Sequence, residues 1–371
     1  MKLFKSLLVA PATLGLLAPM SATANEVTIN DFNPAEELAV TNSRVDGLEA
    51  RLNNFEAGSF SETTTASFST DFYLGSEDTD DGSDTATDAD DTIMATYSFQ
   101  IDLNTSFTGE DSLDISLDAG NSGAAGTAEF DGNGGGDALS VDGVAYTFPV
   151  GGATVFVGDN SDGSALYTTA CVYGGPSNTL DDCANVNAGF TGGEVAAGAS
   201  YDFGNGFTAA TGMQTSNTGV LTEESLDSYG LNAAYTGSNY GVSLTYGVIE
   251  TSATEENAAT ALNAYYTPEG FPSISAGYEV VDIGGAAAAS DEMESFFVGL
   301  TWAEVGPGSA GVAFGYSDIV ENTDEEYMYE AYYSYPVNDG MTITPLVFVK
   351  EDSTAGVSDT TGVMVKTSFS F

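Results

Sequence analysis

From about residue 63 to the carboxyl end, apolar and polar residues alternate with period two, in runs longer than most globular strands. The clearest run sets Ile93, Ala95, Tyr97, Phe99, Ile101, Leu103 and Phe107 on one face and Thr96, Ser98, Gln100, Asp102, Asn104 and Ser106 on the other. Such a strand suits lipid on one side and water on the other. After the first 24 residues no stretch of about 18 apolar residues could form a spanning helix. Membrane insertion therefore requires a closed barrel, the other structure that bonds all its backbone groups internally.

Read coarsely, strands fall near 63–74, 93–107, 112–119, 139–148, 153–158, 194–203, 207–213, 226–235, 240–249, 259–266, 273–281, 293–302, 310–316, 327–335, 341–349 and 361–371. The odd-numbered links (75–92, 120–138, 159–193, 214–225, 250–258, 282–292, 317–326 and 350–360) read as the longer ones. The even-numbered links are mostly short, as in Thr108 to Asp111, Gly204 to Gly206 and Pro336 to Gly340. Short periplasmic turns and long external loops give outer-membrane barrels this rhythm, and an even strand count leaves both chain ends in the periplasm. The expected fold is an all-β, 16-stranded antiparallel transmembrane β-barrel over residues 58–371. A β-helix or a secreted β-sandwich also uses alternation and glycine, but neither predicts the long and short rhythm. Pro345 falls inside the fifteenth strand and cannot donate to a ladder, so a bulge or an earlier strand end is expected there.

Residues 1–24 read as a Sec-type signal peptide: Lys2 and Lys5, an apolar core from Leu7 to Ala18, and an Ala22-Thr23-Ala24 cleavage site. Residues 25–57 form a periplasmic linker that carries a heptad pattern. Leu38, Val45 and Leu52 take the a positions, while Thr41, Leu48 and Phe55 take d. In a parallel coiled coil Arg44 at g meets Glu49 at e, and Arg51 meets Glu56. A short coiled-coil helix is expected before the barrel, and with it a homotrimer; the plainer alternative is one amphipathic helix packed on its own barrel.

The formal charge is −49, from 55 acids against 6 bases, and there is no histidine. So negative a field repels phosphate backbones and excludes nucleic acid as a partner. With apolar faces turned to lipid, the lumen receives Asp71, Asp102, Asp114, Asp118, Asp142, Asp202, Glu279 and Glu330, with Gln100, Asn104, Asn232 and Asn263. Lys366 is the one base placed on that face. Carboxylates lining a pore favour cations. The first external link holds Glu77, Asp78, Asp80, Asp81, Asp84, Asp88, Asp90 and Asp91, but Gly82 comes too early for an EF-hand loop, so a solvated acidic loop and no metal site is expected. Cys171 and Cys183 read as a disulfide in an exported protein, closing a small loop. No Ser-His pair, Walker loop or zinc set supports catalysis or a cofactor.

The segment Arg44-Val45-Asp46-Gly47-Leu48-Glu49-Ala50-Arg51-Leu52, followed directly by a Ser/Thr-rich first strand, resembles cyanobacterial outer-membrane porins of the Som type. These are also called iron-uptake porins and are related to the carbohydrate-selective OprB-like porins. The likeness extends to the signal start, Met1 to Leu8, and to the aromatic terminus Ser368-Phe369-Ser370-Phe371, where Phe371 resembles the barrel-assembly signal. It implies an outer-membrane porin that passes small hydrophilic solutes, inorganic ions and iron among them, with lipid and solutes as its partners. In many sixteen-stranded porins the third loop folds inward, so Asp159, Asp162, Asp181 and Asp182 become the candidate constriction. Family members usually carry an S-layer-homology domain between signal peptide and coiled coil, whereas only Asn25 to Phe32 stand there in this chain, which puts cell-wall anchoring in doubt. The alternative function is a structural envelope protein with little transport.

Overall fold

The computed structural model describes residues 64–78, 92–122, 128–130, 132–220, 222, 226–285, 290–321, 323–354 and 357–371. The first eight strands are β1 (Thr64–Asp78), β2 (Met94–Thr105), β3 (Ser112–Gly120), β4 (Ser140–Val150), β5 (Ala153–Asp159), β6 (Val195–Gly204), β7 (Phe207–Thr215) and β8 (Asp227–Thr236). The next eight are β9 (Tyr240–Ser252), β10 (Glu255–Tyr266), β11 (Ser273–Asp282), β12 (Glu292–Val305), β13 (Gly308–Val320), β14 (Met328–Asn338), β15 (Met341–Lys350) and β16 (Thr360–Ser370). The signal peptide and the coiled-coil positions Leu38, Arg44, Val45, Leu48, Glu49, Arg51, Leu52, Phe55 and Glu56 lie outside the described residues.

Every strand pairs antiparallel with the next, and β1 pairs with β16, so the sheet closes into a 16-stranded barrel. Beyond the seam, Phe68 and Phe371 exchange two backbone hydrogen bonds of 3.0 Å, and their rings stack at 5.7 Å. Closure leaves no unpaired edge, which is what a sheet in hydrocarbon requires. The outer face is apolar: Leu231, Leu262 and Val363 stand 60%, 53% and 57% exposed. Aromatic side chains gather at both ends of that band. Tyr201, Phe203, Phe207, Tyr235 and Tyr240 sit by the short turns, with centroid spacings of 4.7 to 5.5 Å. Phe296, Phe314, Tyr316, Tyr327 and Tyr329 sit by the long links. Two such girdles around an apolar belt mark the faces of a bilayer.

The link between β9 and β10 departs from the expected rhythm. In place of a loop over 250–258, the ladder continues through Glu256↔Glu250 and Glu255↔Ser252 and turns at residues 253 and 254. These strand ends are polar on both faces, as strand extensions above the lipid are free to be, so the alternation that marks a spanning strand is absent from them. Pro345 resolves without a bulge at its own position. It pairs with Val365 of β16, while the β14 ladder runs from Met328 to Tyr332 and resumes at Tyr335. The side without an N–H thus faces the ladder gap, where Thr344 Oγ1 and Ser334 Oγ stand 3.3 Å apart.

The turn after β2 is organised by one carboxylate. Asp111 Oδ1 accepts from Ser106 Oγ (2.9 Å), Phe107 N (3.0 Å) and both the N and Oγ1 of Thr108 (2.7 Å each), while Oδ2 accepts from Tyr146 Oη at 2.7 Å. The Tyr146 hydroxyl above all, with Thr108 and Ser106, holds the Asp111 carboxyl well below the usual carboxylate range, against the opposing effect of burial. A depressed folded pKa contributes stability that is present above the unfolded value near 4 and is lost as pH falls through the folded one. Asp111→Asn is therefore expected to lower the urea midpoint of the detergent-solubilised barrel at pH 7. The gap to wild type should narrow below about pH 4; an equal gap at all pH values would contradict it.

Candidate functional site

Register decides which side chains face inward. On β1 to β4 the pairs Asp71↔Ser98, Gln100↔Asp118, Asp102↔Ser116 and Asn104↔Asp114 share the face opposite Phe72, Leu103 and Leu117. Asp202 joins it through Asp202↔Thr208 on β7, and Lys366 through Thr344↔Lys366. Neighbouring side chains hold these carboxylates. Asp102 accepts from Gln100 Nε2 (2.7 Å) and Ser116 Oγ (2.8 Å), and Asp118 from Ser140 Oγ (2.8 Å). Asp114 accepts from Asn104 Nδ2 and Ser112 Oγ. Asp142 falls at a register shift, since Ser116 faces Gly143 and Leu117 faces Val141. It stands within electrostatic reach of Asp118, Asp102 and Asp162. Lys366 Nζ lies 3.5 Å from Asp71 Oδ2 and 5.9 Å from the Tyr73 ring centroid, so its charge is matched on the spot.

The third external link, residues 160–194, runs along the inner wall in two tiers. The outgoing arm donates Gly163 N to Gln214 (3.0 Å, β7), Thr168 N to Asn232 (2.9 Å, β8), Ala170 N to Ser243 (2.8 Å, β9) and Val172 N to Ser275 (3.0 Å, β11). It ends where Tyr173 Oη donates to Glu330 of β14. The returning arm accepts from Asn263 Nδ2 at Cys183 O (2.7 Å). It then donates Asn187 N, Asn187 Nδ2 and Ala188 N to Glu279 of β11, at 2.7 to 3.0 Å. Cys171 and Cys183 are joined by a disulfide, Cα to Cα 6.5 Å, tying one tier to the other. The wall makes room with small residues: a Cβ on Gly277 would stand 1.8 Å from Cys183 O, and one on Gly247 2.9 Å from Ala188 O.

This path changes how several predicted residues are read. Glu279 and Glu330 do face inward, but at 0% and 4% exposure they lie beneath the loop and anchor it, so they do not border open water. Asp159 is the last residue of β5 and follows Val157 onto the outward alternation, which removes it from the constriction. Asp162 Oδ1 accepts from Gly192 N at 2.7 Å and so joins the two ends of the loop. Asp181 and Asp182 are exposed at the start of the returning arm.

Part of the lumen is dry. Tyr173 and Leu180 of the loop pack with Phe297, Met328, Tyr332, Leu346, Phe348 and Met364 of the wall. The trace of this in the sequence is the loss of alternation in Leu346-Val347-Phe348-Val349 and Val363-Met364-Val365, where both faces are apolar. The β3 to β4 link enters as well. Its 3-10 turn, Ala128–Phe130, sets Phe130 on Tyr73 at 5.5 Å. Glu129 meets Thr179 Oγ1 at 3.0 Å and Lys350 Nζ at 3.3 Å, so Lys350 of β15 clasps the two loops together. Neither Lys350 nor Glu129 stood out in the sequence.

Removing a loop anchor should release the loop and leave the barrel intact. Glu279→Leu strands the Asn187 and Ala188 N–H groups at about 1–3 kcal/mol each, and Gly277→Val clashes with Cys183 O. Both variants should keep the heat-dependent gel shift of a folded barrel and gain chymotrypsin cleavage between Tyr167 and Leu180. Uncut loops in both would refute the anchoring.

No protein-family model matches the chain. It is 25% identical to the uncharacterized protein alr4550 of Nostoc sp., over 91% of this chain and 70% of that protein. Among solved structures it is similar to OprB of Pseudomonas putida, at 12% identity and TM-score 0.57, over 83% of this chain and 94% of that one. It is also similar to a triple mutant of the Rhodopseudomonas blastica porin, at 11% identity and TM-score 0.51, over 83% of this chain and all of that one. At these identities the likeness is one of fold, and the fold is the porin barrel.

Proposed function

We propose that the chain is an outer-membrane porin through which small hydrophilic solutes diffuse passively, with preference for cations. The observation that carries the reading is the asymmetry of the lumen. Loops and apolar packing occupy the side from β7 round to β1, and the β3 to β4 link reaches Ser98 of β2. On the β2 to β4 side, Asp102, Asp114 and Asp118 bond only to neighbouring wall side chains among the described contacts, and Asp142 and Asp162 stand nearby. Water left in this barrel passes a row of carboxylates. Asp162, Asp181 and Asp182 border the passage where the third loop narrows it. The matched pair Lys366 and Asp71 adds little net charge. Inorganic cations, iron among them, are the solutes that fit, and both chain ends lie in the periplasm. Binding and passage account for these residues without an enzymatic step.

A homotrimer belongs to the same proposal. β5 has seven residues, which at about 3.3 Å rise and 40° tilt span about 18 Å, less than the roughly 25 Å apolar belt of such barrels. A wall that low is better covered by another copy than by lipid, and the heptad of residues 38–55 offers the matching periplasmic contact. A structural envelope protein is the second reading, and the two loops packed into the lumen are what favour it.

Planar bilayers with a salt gradient separate the two. Stepwise conductance with a cation-selective reversal potential supports the porin, and silence at every protein concentration supports the structural protein. Replacing Asp102, Asp114 and Asp118 together by Asn should cut the cation-to-anion permeability ratio by roughly two- to threefold per charge at low salt, as one charge at about 14 Å in water implies when it attracts the cation and repels the anion equally. An unchanged ratio would remove them from the pathway. Leu48→Asp should disperse the trimer, measured by light scattering in detergent; an intact trimer would place the whole contact in the barrel walls.

A further inference from the structure

From residue 64 onward the chain holds two bases, Lys350 and Lys366, and both turn into the lumen from neighbouring strands. They are held differently. Lys350 Nζ donates to Glu129 Oε1 and to Thr179 Oγ1, at 3.3 Å each. Lys366 Nζ makes no hydrogen bond among the described residues; Asp71 Oδ2 stands 3.5 Å away and the Tyr73 ring lies beside it. Asp71 in turn accepts at Oδ2 alone among the described residues, from Tyr73 Oη at 3.5 Å. Both side chains reach water, at 29% exposure for Lys366 and 24% for Asp71. They border a recess of about 110 Å³ in the wall of β16, β1 and β2, with Ser69, Ser98 and Gln100 at its sides and Asn133 of the β3 to β4 link across it. The link is fixed there by Asn133 N, which donates to Ser98 Oγ at 2.7 Å, and by Phe130 on Tyr73. At about 30 Å³ per water, the recess has room for roughly three or four waters, or for one small polar head group.

We propose that this recess is a binding subsite for a small zwitterion, an α-amino acid, with its carboxylate on Lys366 and its ammonium on Asp71. The proposal rests on the porin reading of the barrel and names a solute class for it. A lone anion is repelled by Asp71 and a lone cation by Lys366. An α-amino acid carries both charges on one carbon, about as far apart as the pair that meets it. Set head to tail against that pair, each of its charges gains a charge-assisted hydrogen bond from the N–H groups of Lys366 or to the carboxylate of Asp71. The summed field of an acidic chain exerts no net pull on a solute of zero net charge, so a local pair of opposite charges is what can hold one. Of the two ion pairs among the described residues, Lys350 with Glu129 is tied by a hydrogen bond between two packed loops, and Lys366 with Asp71 is the open one.

The test uses the full chain in planar bilayers carrying potassium current at low salt, with L-alanine as probe. Propionate lacks its ammonium, ethylammonium lacks its carboxylate, and lactamide keeps the shape without either charge. On the wild type L-alanine should reduce the current in a saturable way, half-maximally at a concentration roughly five- to fiftyfold below that of lactamide or propionate, as one charge-assisted bond implies. Lys366→Gln, checked for the heat-dependent gel shift, should raise the L-alanine concentration for half reduction by a similar factor and lower that for ethylammonium. Asp71→Asn should raise it for L-alanine and lower it for propionate. Lactamide or propionate as effective as L-alanine on the wild type overturns the subsite whether or not a variant folds. An unchanged response to L-alanine in either folded variant does the same. Conducting channels on which L-alanine has no effect overturn the subsite and leave the porin reading standing. Silent bilayers, with saturation-transfer NMR showing L-alanine on the folded barrel in detergent and not on the variants, overturn the porin reading and keep the subsite; silence with no transfer overturns both.

Discussion

Closure of the sheet is the constraint on which everything else rests. Hydrocarbon offers a peptide group no hydrogen-bond partner, so a strand that crosses it must be paired on both sides. Sixteen strands meet that demand when β1 finds β16, and the seam is finished at the very end of the chain by the Phe68 and Phe371 pair. The strict inward and outward alternation follows from closure, because a one-residue slip at any ladder would turn every side chain of that strand to the wrong solvent.

A closed barrel of this size encloses more space than its own side chains fill. The protein fills part of it with its own chain. The third loop behaves as an interior layer, bonded by Asn, Ser and Glu side chains that the wall turns inward and seated on glycines that let backbone approach backbone. Its underside packs into two apolar clusters, one around Tyr173 and Leu180 and one around Ala188, Ala259, Ala261 and Val281. The buried carboxylates Glu279 and Glu330 are tolerable because loop N–H and O–H groups bond them; burial, and after it the Glu330 charge, keeps the Tyr173 hydroxyl protonated well above its ordinary range, so it serves as a donor.

This arrangement divides the acids into classes that composition cannot separate. Asp102, Asp114 and Asp118 are held by wall neighbours and remain half-exposed to the lumen. Asp111 ties down a turn, Glu129 joins two loops to Lys350, and Asp159 points out of the barrel. Each is one of 55 acids in a chain with 6 bases. Bulk charge says only that the field of the chain is negative; place decides which acids stand at the lumen and which hold the structure.

The barrel and its strand number were legible in the linear chain, because a membrane writes its two solvents into alternate residues at short range. The strand extensions at β9 and β10 were not, since above the lipid both faces meet water and the alternation stops. Nor was the path of the third loop. Its anchors, Asn232, Ser243, Ser275, Glu279 and Glu330, come from strands far apart in sequence, and each reads there as one more polar residue facing a lumen. Alternation is a property of one strand and its surroundings, so sequence alone determined it; the lining of the passage depends on which distant residues a loop reaches across the closed wall, so only the tertiary structure could decide it.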